Sequence, residues 1–321
     1  MSRHKKLAYL RGQRDGIAAL YRSLNGESTA AAIKRADEPV EDTEFATWGL
    51  QVTGVLTSPY SGRGVRVAVL GTGMDLQHPD FAGRRIEGRS FIAGETVQSR
   101  FGYTTHLIGT ACGPREPVRG RRYGIAWGAE IFVGKVLSDA GSGTDSAVLA
   151  GMNWALHQGC QVILLYVGSD RPPLPIYERI ARQCLDQGAL LIAAAGQGAQ
   201  RPVSFGSVAS PANCRSVMAV GGVDQRLRMA SFSPRSGSFA GGEIDLVGPA
   251  IRVYSAFSAP RLYEYASGTS RAAAHVAGIA ALWIEATGVT GHGLWQTLSA
   301  HAQRLPLPSV DVGAGLVRAP Q

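Results

Sequence analysis

Six short, nearly continuous apolar runs punctuate this chain, at residues 65–70, 131–136, 162–167, 190–195, 217–221 and 244–247. Apolar runs of that length, without polar alternation, are the pattern of strands buried on both faces. Helical patterns lie between and after them, at 144–158, 175–187 and 270–286. Strands alternating with helices specify an α/β chain, with a mostly parallel twisted sheet and helices on both faces. Open sheets of this kind place their sites at the carboxyl ends of the strands.

The chain has 321 residues, 45% of them hydrophobic and 17% charged, which suits one large domain with a sizeable core and a short extension. Residues 1–44 are polar and Ala-rich: residues 3–24 suit a basic amphipathic helix, and 38–44 an acidic linker. From Trp48 the texture becomes that of the folded part, so the division expected is 1–44 for the extension and 45–321 for the domain. No internal repeat is present.

Net charge is +8, carried almost wholly by Arg, with only four Lys. The Arg residues are scattered, without a basic stripe or interleaved aromatics, and even the densest run, RGRRY at 119–123, is short; this argues against a nucleic-acid partner. The start is basic but has no apolar stretch of the kind a signal peptide needs, and no run of about 18 apolar residues marks a membrane span. Cys112, Cys160, Cys184 and Cys214 fit no zinc or redox spacing. A cytoplasmic protein with reduced thiols is the expectation.

Three segments carry a resemblance: VRVAVLGTGMDLQHPDF at 65–81, GYTTHLIGTACG at 102–113 and YASGTSRAAAHVAGIAAL at 265–282. They resemble, in order, the strand ending in Asp-Thr/Ser-Gly followed by His-Pro-Asp, the Gly-His-Gly-Thr-His segment, and the Gly-Thr-Ser-Met-Ala segment of the subtilisin-like (S8) serine peptidases, the subtilases. Shorter matches at 124–137, 193–197, 210–214, 219–224 and 311–320 follow in the same order. The resemblance implies the three-layer subtilisin-like fold.

It also implies an Asp–His–Ser triad, in which Ser attacks a carbonyl, His takes its proton and Asp orients the imidazole. Carried over position by position, the Asp position is Gly71, the His position Tyr103, the oxyanion Asn position Gln197, and the nucleophile position Ser270. Glycine orients nothing, and a phenol of pKa about 10 is a poor base near pH 7. Gln197 keeps an amide donor on a side chain one methylene longer. The neighbourhood departs too: Thr104 stands for Gly, Arg271 for Met and Ala274 for Pro, and the substrate-binding strand reads Leu164-Leu165-Tyr166-Val167-Gly168, while Gly141-Ser142-Gly143 keeps the family pattern.

The expectation is therefore a catalytically impaired subtilase homologue that holds a peptide or protein partner in the former cleft, with Arg271, Tyr166, Gly168, Gly141, Ser142, Gly143 and Thr104 as binding residues. Two alternatives stand beside it: a non-proteolytic enzyme with a Tyr/Ser/Arg pocket, and an S8 endopeptidase with a base from elsewhere. Arg271 would offer a fixed positive charge to a carboxylate. His106 and His275 read as packing residues, His78 as a turn residue. No metal ligand set is evident; the resemblance allows a calcium ion, with Asp75 and Asp80 as the nearest carboxylates. About 44 residues are short for a self-removed pro-domain, so the extension is expected to stay attached.

Overall fold

The computed structural model describes residues 38–237 and 241–321. The basic helix expected at 3–24 lies outside the described residues. Seven parallel strands form the sheet: β1 (Arg66–Gly71), β2 (Ile86–Ser90), β3 (Glu130–Lys135), β4 (Val162–Leu165), β5 (Leu190–Ala194), β6 (Met218–Val223) and β7 (Leu246–Pro249). Their order is β2-β3-β1-β4-β5-β6-β7. The six apolar runs are β1 and β3 to β7. β2 escapes a reading based on apolar runs because it is an edge strand, IEGRS, with three exposed residues. A separate antiparallel hairpin, β8 (Val253–Ala256) and β9 (Tyr263–Ala266), has strands too short to mark themselves in the sequence.

β1 pairs with β3 on one side and β4 on the other, so it lies inside the sheet. Alternation splits its residues between two cores. Val67 and Val69 pack with helices α2 (Tyr103–Cys112) and α5 (Thr269–Thr287). Ala68 and Leu70 pack with α3 (Asp145–His157) and α4 (Pro175–Asp186). This is the layered α/β architecture that the alternation specifies. α3 starts where Thr144 accepts from the Ala147 N–H, and α4 starts on Pro175, a residue suited to a first helical turn. Short helices α1 (Trp48–Val52), α6 (Gly291–Ala300) and α7 (Ser309–Val312) complete the described elements.

Residues Glu41–Gln321 form one compact unit. Its start is pinned by Asp42, which accepts from the Trp48 N–H at 2.7 Å and the Tyr265 hydroxyl at 2.9 Å. The helix pair α2 and α5 is the frame of the site. A Cβ on Gly278 would lie 2.7 Å from the Ala111 carbonyl oxygen, so the two helices approach as closely as a residue without a side chain allows. Their first turns meet at the carboxyl end of β1. No single helix among the described residues is long and apolar enough to cross a membrane.

Candidate active site

Tyr103 opens α2 and Ser270 is the second residue of α5. Their hydroxyls lie 2.8 Å apart. Arg271, next along α5, donates from Nη1 to Ser270 Oγ at 2.9 Å and lays its guanidinium 3.9 Å from the centre of the Tyr103 ring. Arg271 is only 2% exposed. Among the described residues no carboxylate pairs with it, and its buried Nε has no hydrogen-bond partner. Burial lowers its pKa from the usual arginine value, against an opposing pull from Tyr103.

Gly71 ends β1, and the room beside it is taken. A Cβ there would clash with the edge of the Tyr166 ring and lie 2.6 Å from Thr104 Oγ1. Tyr166 lies just past β4, with its hydroxyl 3.0 Å from the Thr72 N–H and 3.0 Å from Thr104 Oγ1. Thr104 Oγ1 also accepts from the Thr72 N–H at 2.9 Å. Burial pushes the Tyr166 phenol up, opposed by its bonds to Thr104 and Thr72. Its ring centre is 4.8 Å from that of Tyr103, which in turn stacks on Phe101 at 6.3 Å. An aromatic column thus stands over the end of β1.

This placement corrects two expectations. Thr104 is fully buried and Arg271 nearly so, and neither is displayed to a ligand; a bound group feels them through Tyr166, Ser270 and Tyr103. Tyr166 faces the end of β1, because Gly71 leaves a hollow that the ring fills. Gln197 is exposed, and its amide reaches back to the site: a Cβ on Gly268 would be 3.3 Å from both Gln197 Nε2 and Ser270 Oγ. Gly141, Ser142, Gly143 and Gly168 are exposed. Among the described residues, the backbone groups of Gly143, Val167 and Gly168 make no hydrogen bond. Thr72 is the member the sequence reading missed. It sits inside the first motif, but its role depends on Thr104 and Tyr166 reaching it.

The remaining polar residues have structural partners. His106 binds the Val253 carbonyl at 3.0 Å and His275 the Arg271 carbonyl at 2.8 Å; both are buried and touch neither Ser270 nor Tyr103 through a hydrogen bond. His78 caps a one-turn helix at Pro79–Phe81. Asp75 accepts from the N–H groups of Gln77 and Ala259 and from Gln98 Nε2; Asp80 accepts from the Val118 N–H and the hydroxyls of Tyr123 and Tyr263. Carboxylates so fully supplied with donors do not fit a resident calcium ion, and no group of three His, Cys, Asp or Glu that could hold a metal occurs among the described residues. All four cysteines are free and buried, with thiols pushed up by burial to about 12 for Cys112, Cys160 and Cys184 and about 11 for Cys214.

A profile of the Subtilase family, Peptidase_S8, matches residues 62–315, from the lead-in to β1 to a point just past α7. The chain belongs to the subtilase family. This subtilase is 34% identical over 264 residues to M-protease of Shouchella clausii, covering 81% of its own length and 65% of that protein. It is 36% identical over 239 residues to Subtilisin Savinase of Lederbergia lenta, covering 73% and 82%. It is 33% identical over 265 residues to Subtilisin DY of Bacillus licheniformis, covering 80% and 86%. Against M-protease and two alkaline proteases the subtilase spans just under two thirds of the relative's length.

Proposed function

We propose that this subtilase does not hydrolyse peptide bonds and instead holds an extended peptide or protein segment in the cleft over Ser270. The observation that carries this reading is the set of partners around Ser270 Oγ: a tyrosine hydroxyl at 2.8 Å and an arginine N–H at 2.9 Å. Attack on a carbonyl needs a neighbouring base that accepts the serine proton. Arg271 only donates, so it uses a lone pair of the would-be nucleophile. Tyr103 is a phenol, and the imidazoles of His106 and His275 are engaged with backbone carbonyls. Gly71 offers no carboxylate to orient a base.

Binding needs none of these groups. The exposed Gly141–Gly143 loop and the unpaired backbone of Val167 and Gly168 offer two edges to which an extended chain adds as a strand. The four free, buried thiols are compatible with a reducing compartment, and a cytoplasmic location is part of the proposal.

A second reading, an enzyme of different chemistry, draws on the same contacts: the Tyr103 and Ser270 hydroxyls lie 2.8 Å apart beside the Arg271 guanidinium, an arrangement in which Tyr103 would exchange a proton with Ser270. One experiment separates the two. The purified protein and its Ser270→Ala variant are incubated with a fluorophosphonate probe and with a quenched fluorescent peptide library. No Ser270-dependent labelling or cleavage is expected. Labelling that vanishes in Ser270→Ala would favour the second reading, and cleavage that vanishes would restore the peptidase.

A further inference from the structure

Three donors meet at the floor of the cleft with too few acceptors. The Arg271 guanidinium carries only N–H groups, so Ser270 Oγ accepts from it at 2.9 Å. The Ser270 and Tyr103 hydroxyls share one further bond, at 2.8 Å, which uses one of their two protons. Whichever hydroxyl donates, the other proton has no acceptor among the described residues. Ser270 is buried and Tyr103 half-buried, so Tyr103 is the more accessible of the two hydroxyl-bearing residues. The Gln197 amide borders the same small space at Gly268 as Ser270 Oγ, and it adds a second donor.

Charge points the same way. A guanidinium that is 2% exposed, with an unpartnered Nε and no paired carboxylate among the described residues, is a buried cation lacking its counter-charge. The Tyr103 ring and one serine hydroxyl compensate it only in part. An anionic group placed over Ser270 supplies both the missing negative charge and the missing acceptors. A carboxylate has two acceptor oxygens, one for the Tyr103 or Ser270 O–H and one for the Gln197 amide, which borders the same space beside Gly268. A peptide running straight through would bring only a neutral carbonyl.

We infer that the cleft takes a peptide that ends there, with its free C-terminal α-carboxylate seated between the Tyr103–Ser270 hydroxyl pair and the Gln197 amide, above the buried Arg271 guanidinium. This rests on the peptide-binding reading and names the ligand class of that site. The carboxylate could also come from an Asp or Glu side chain, so the test has three arms.

The full chain is immobilised and offered three synthetic pools, read by mass spectrometry of the retained fraction. One is N-acetylated pentapeptides randomised over neutral residues with a free C-terminal acid. The second is the same pool as C-terminal amides. The third is amidated pentapeptides with a central Glu. The free-acid pool should be retained about 10-fold or more over both amide pools, as a charge-assisted contact provides. Arg271→Gln and Tyr103→Phe, each verified as folded by circular dichroism, should each cut that ratio by about 5-fold or more; if Arg271→Gln fails to fold, Tyr103→Phe still decides. Equal retention of acid and amide, or a ratio unchanged in the folded variants, would overturn this inference and leave peptide binding standing. Retention of the Glu pool equal to the acid pool would assign the carboxylate to a side chain and overturn the C-terminal assignment. If no pool is retained, the inference falls together with the peptide-binding reading beneath it.

Discussion

Tyr166 occupies the space into which a side chain at Gly71 would project: a Cβ on Gly71 would lie 2.5 Å from the Tyr166 hydroxyl and closer still to its ring. Glycine at 71 and the tyrosine ring at 166 thus form one packing arrangement. A carboxylate restored at position 71 has nowhere to go while Tyr166 bonds Thr72 and Thr104 at 3.0 Å.

Reinstating the family residues at Gly71, Tyr103, Thr104 and Gln197 is therefore expected to fail by itself. Gly71→Asp in the wild-type background should overpack the end of β1 and cost about 1–3 kcal/mol, read as a lowered urea midpoint. Adding Tyr166→Ser to the fourfold change should recover stability and permit Ser270-dependent cleavage of a fluorogenic peptide. Activity in the fourfold variant with Tyr166 retained would show that the ring yields, contrary to this expectation.

Arg271 is predicted to cost stability. A buried cation without a paired carboxylate carries a desolvation penalty of several kcal/mol, against about 2 kcal/mol for a desolvated cation–π contact and about 1.5–3 kcal/mol for a charged hydrogen bond. Arg271→Met, which keeps the volume and drops the charge, should be neutral or raise stability by about 1–2 kcal/mol in thermal unfolding. A loss of more than about 1 kcal/mol would make Arg271 a structural residue and weaken the case that it serves a ligand.

Acid should destabilise the fold earlier than its carboxylates require. Burial holds His275 down to about 4 and His106 well below the usual histidine value. An unfolded chain binds protons at these residues from about pH 6.5 downward while the folded one does not, so stability is complete above about pH 6.5 and falls below it. The loss is about 1.4 kcal/mol per pH unit for each such histidine, ending near pH 4 for His275. Urea midpoints between pH 7.5 and 4.5 should decline less steeply than two histidines alone would give, because burial raises Asp245 to about 7 and its protonation in the fold works the other way; midpoints that rise as the pH falls would place both imidazoles in contact with water.

Asp311 ties the segment carrying Gln197 to the C-terminal part of the chain. It accepts from Arg201 Nη2 at 2.6 Å and from Arg235 Nε and Nη2 at 2.9 and 2.8 Å. Burial pulls the Asp311 carboxyl up, but the two guanidiniums outweigh it and hold it below the usual aspartate value. This stabilisation is present above about pH 4 and lost as pH falls through the lowered value. Asp311→Asn should cost about 3 kcal/mol at pH 7, with the gap to wild type closing as the pH falls below the usual aspartate value. A gap that does not narrow on acidification would mean that packing, not charge, sets the cost.

The sequence by itself determined the layers, the strands inside the sheet and the identity of the residues at the four motif positions. Those features are local: a run of apolar residues, a helical period, a cap, a motif on one turn. Helix α4 shows how far this goes, since its buried Tyr177, Ile180, Ala181, Cys184 and Leu185 fall on one helical stripe. That positions 71 and 103 carry Gly and Tyr was equally legible.

Only the tertiary structure decided what fills the vacated room. Tyr103 and Ser270 are 167 positions apart, and Tyr166 and Thr72 are 94 apart. Nothing in the spacing says that Tyr166 turns toward β1, that Thr72 is its partner, or that Arg271 folds back under Tyr103. Side-chain direction in a crowded site is set by which rotamers the neighbours leave open, and a donor's partner by which acceptors end up within about 3 Å. Both are properties of the packed chain. A sequence supplied the charge of Arg271; its burial, and so its want of an anion, came only with the fold.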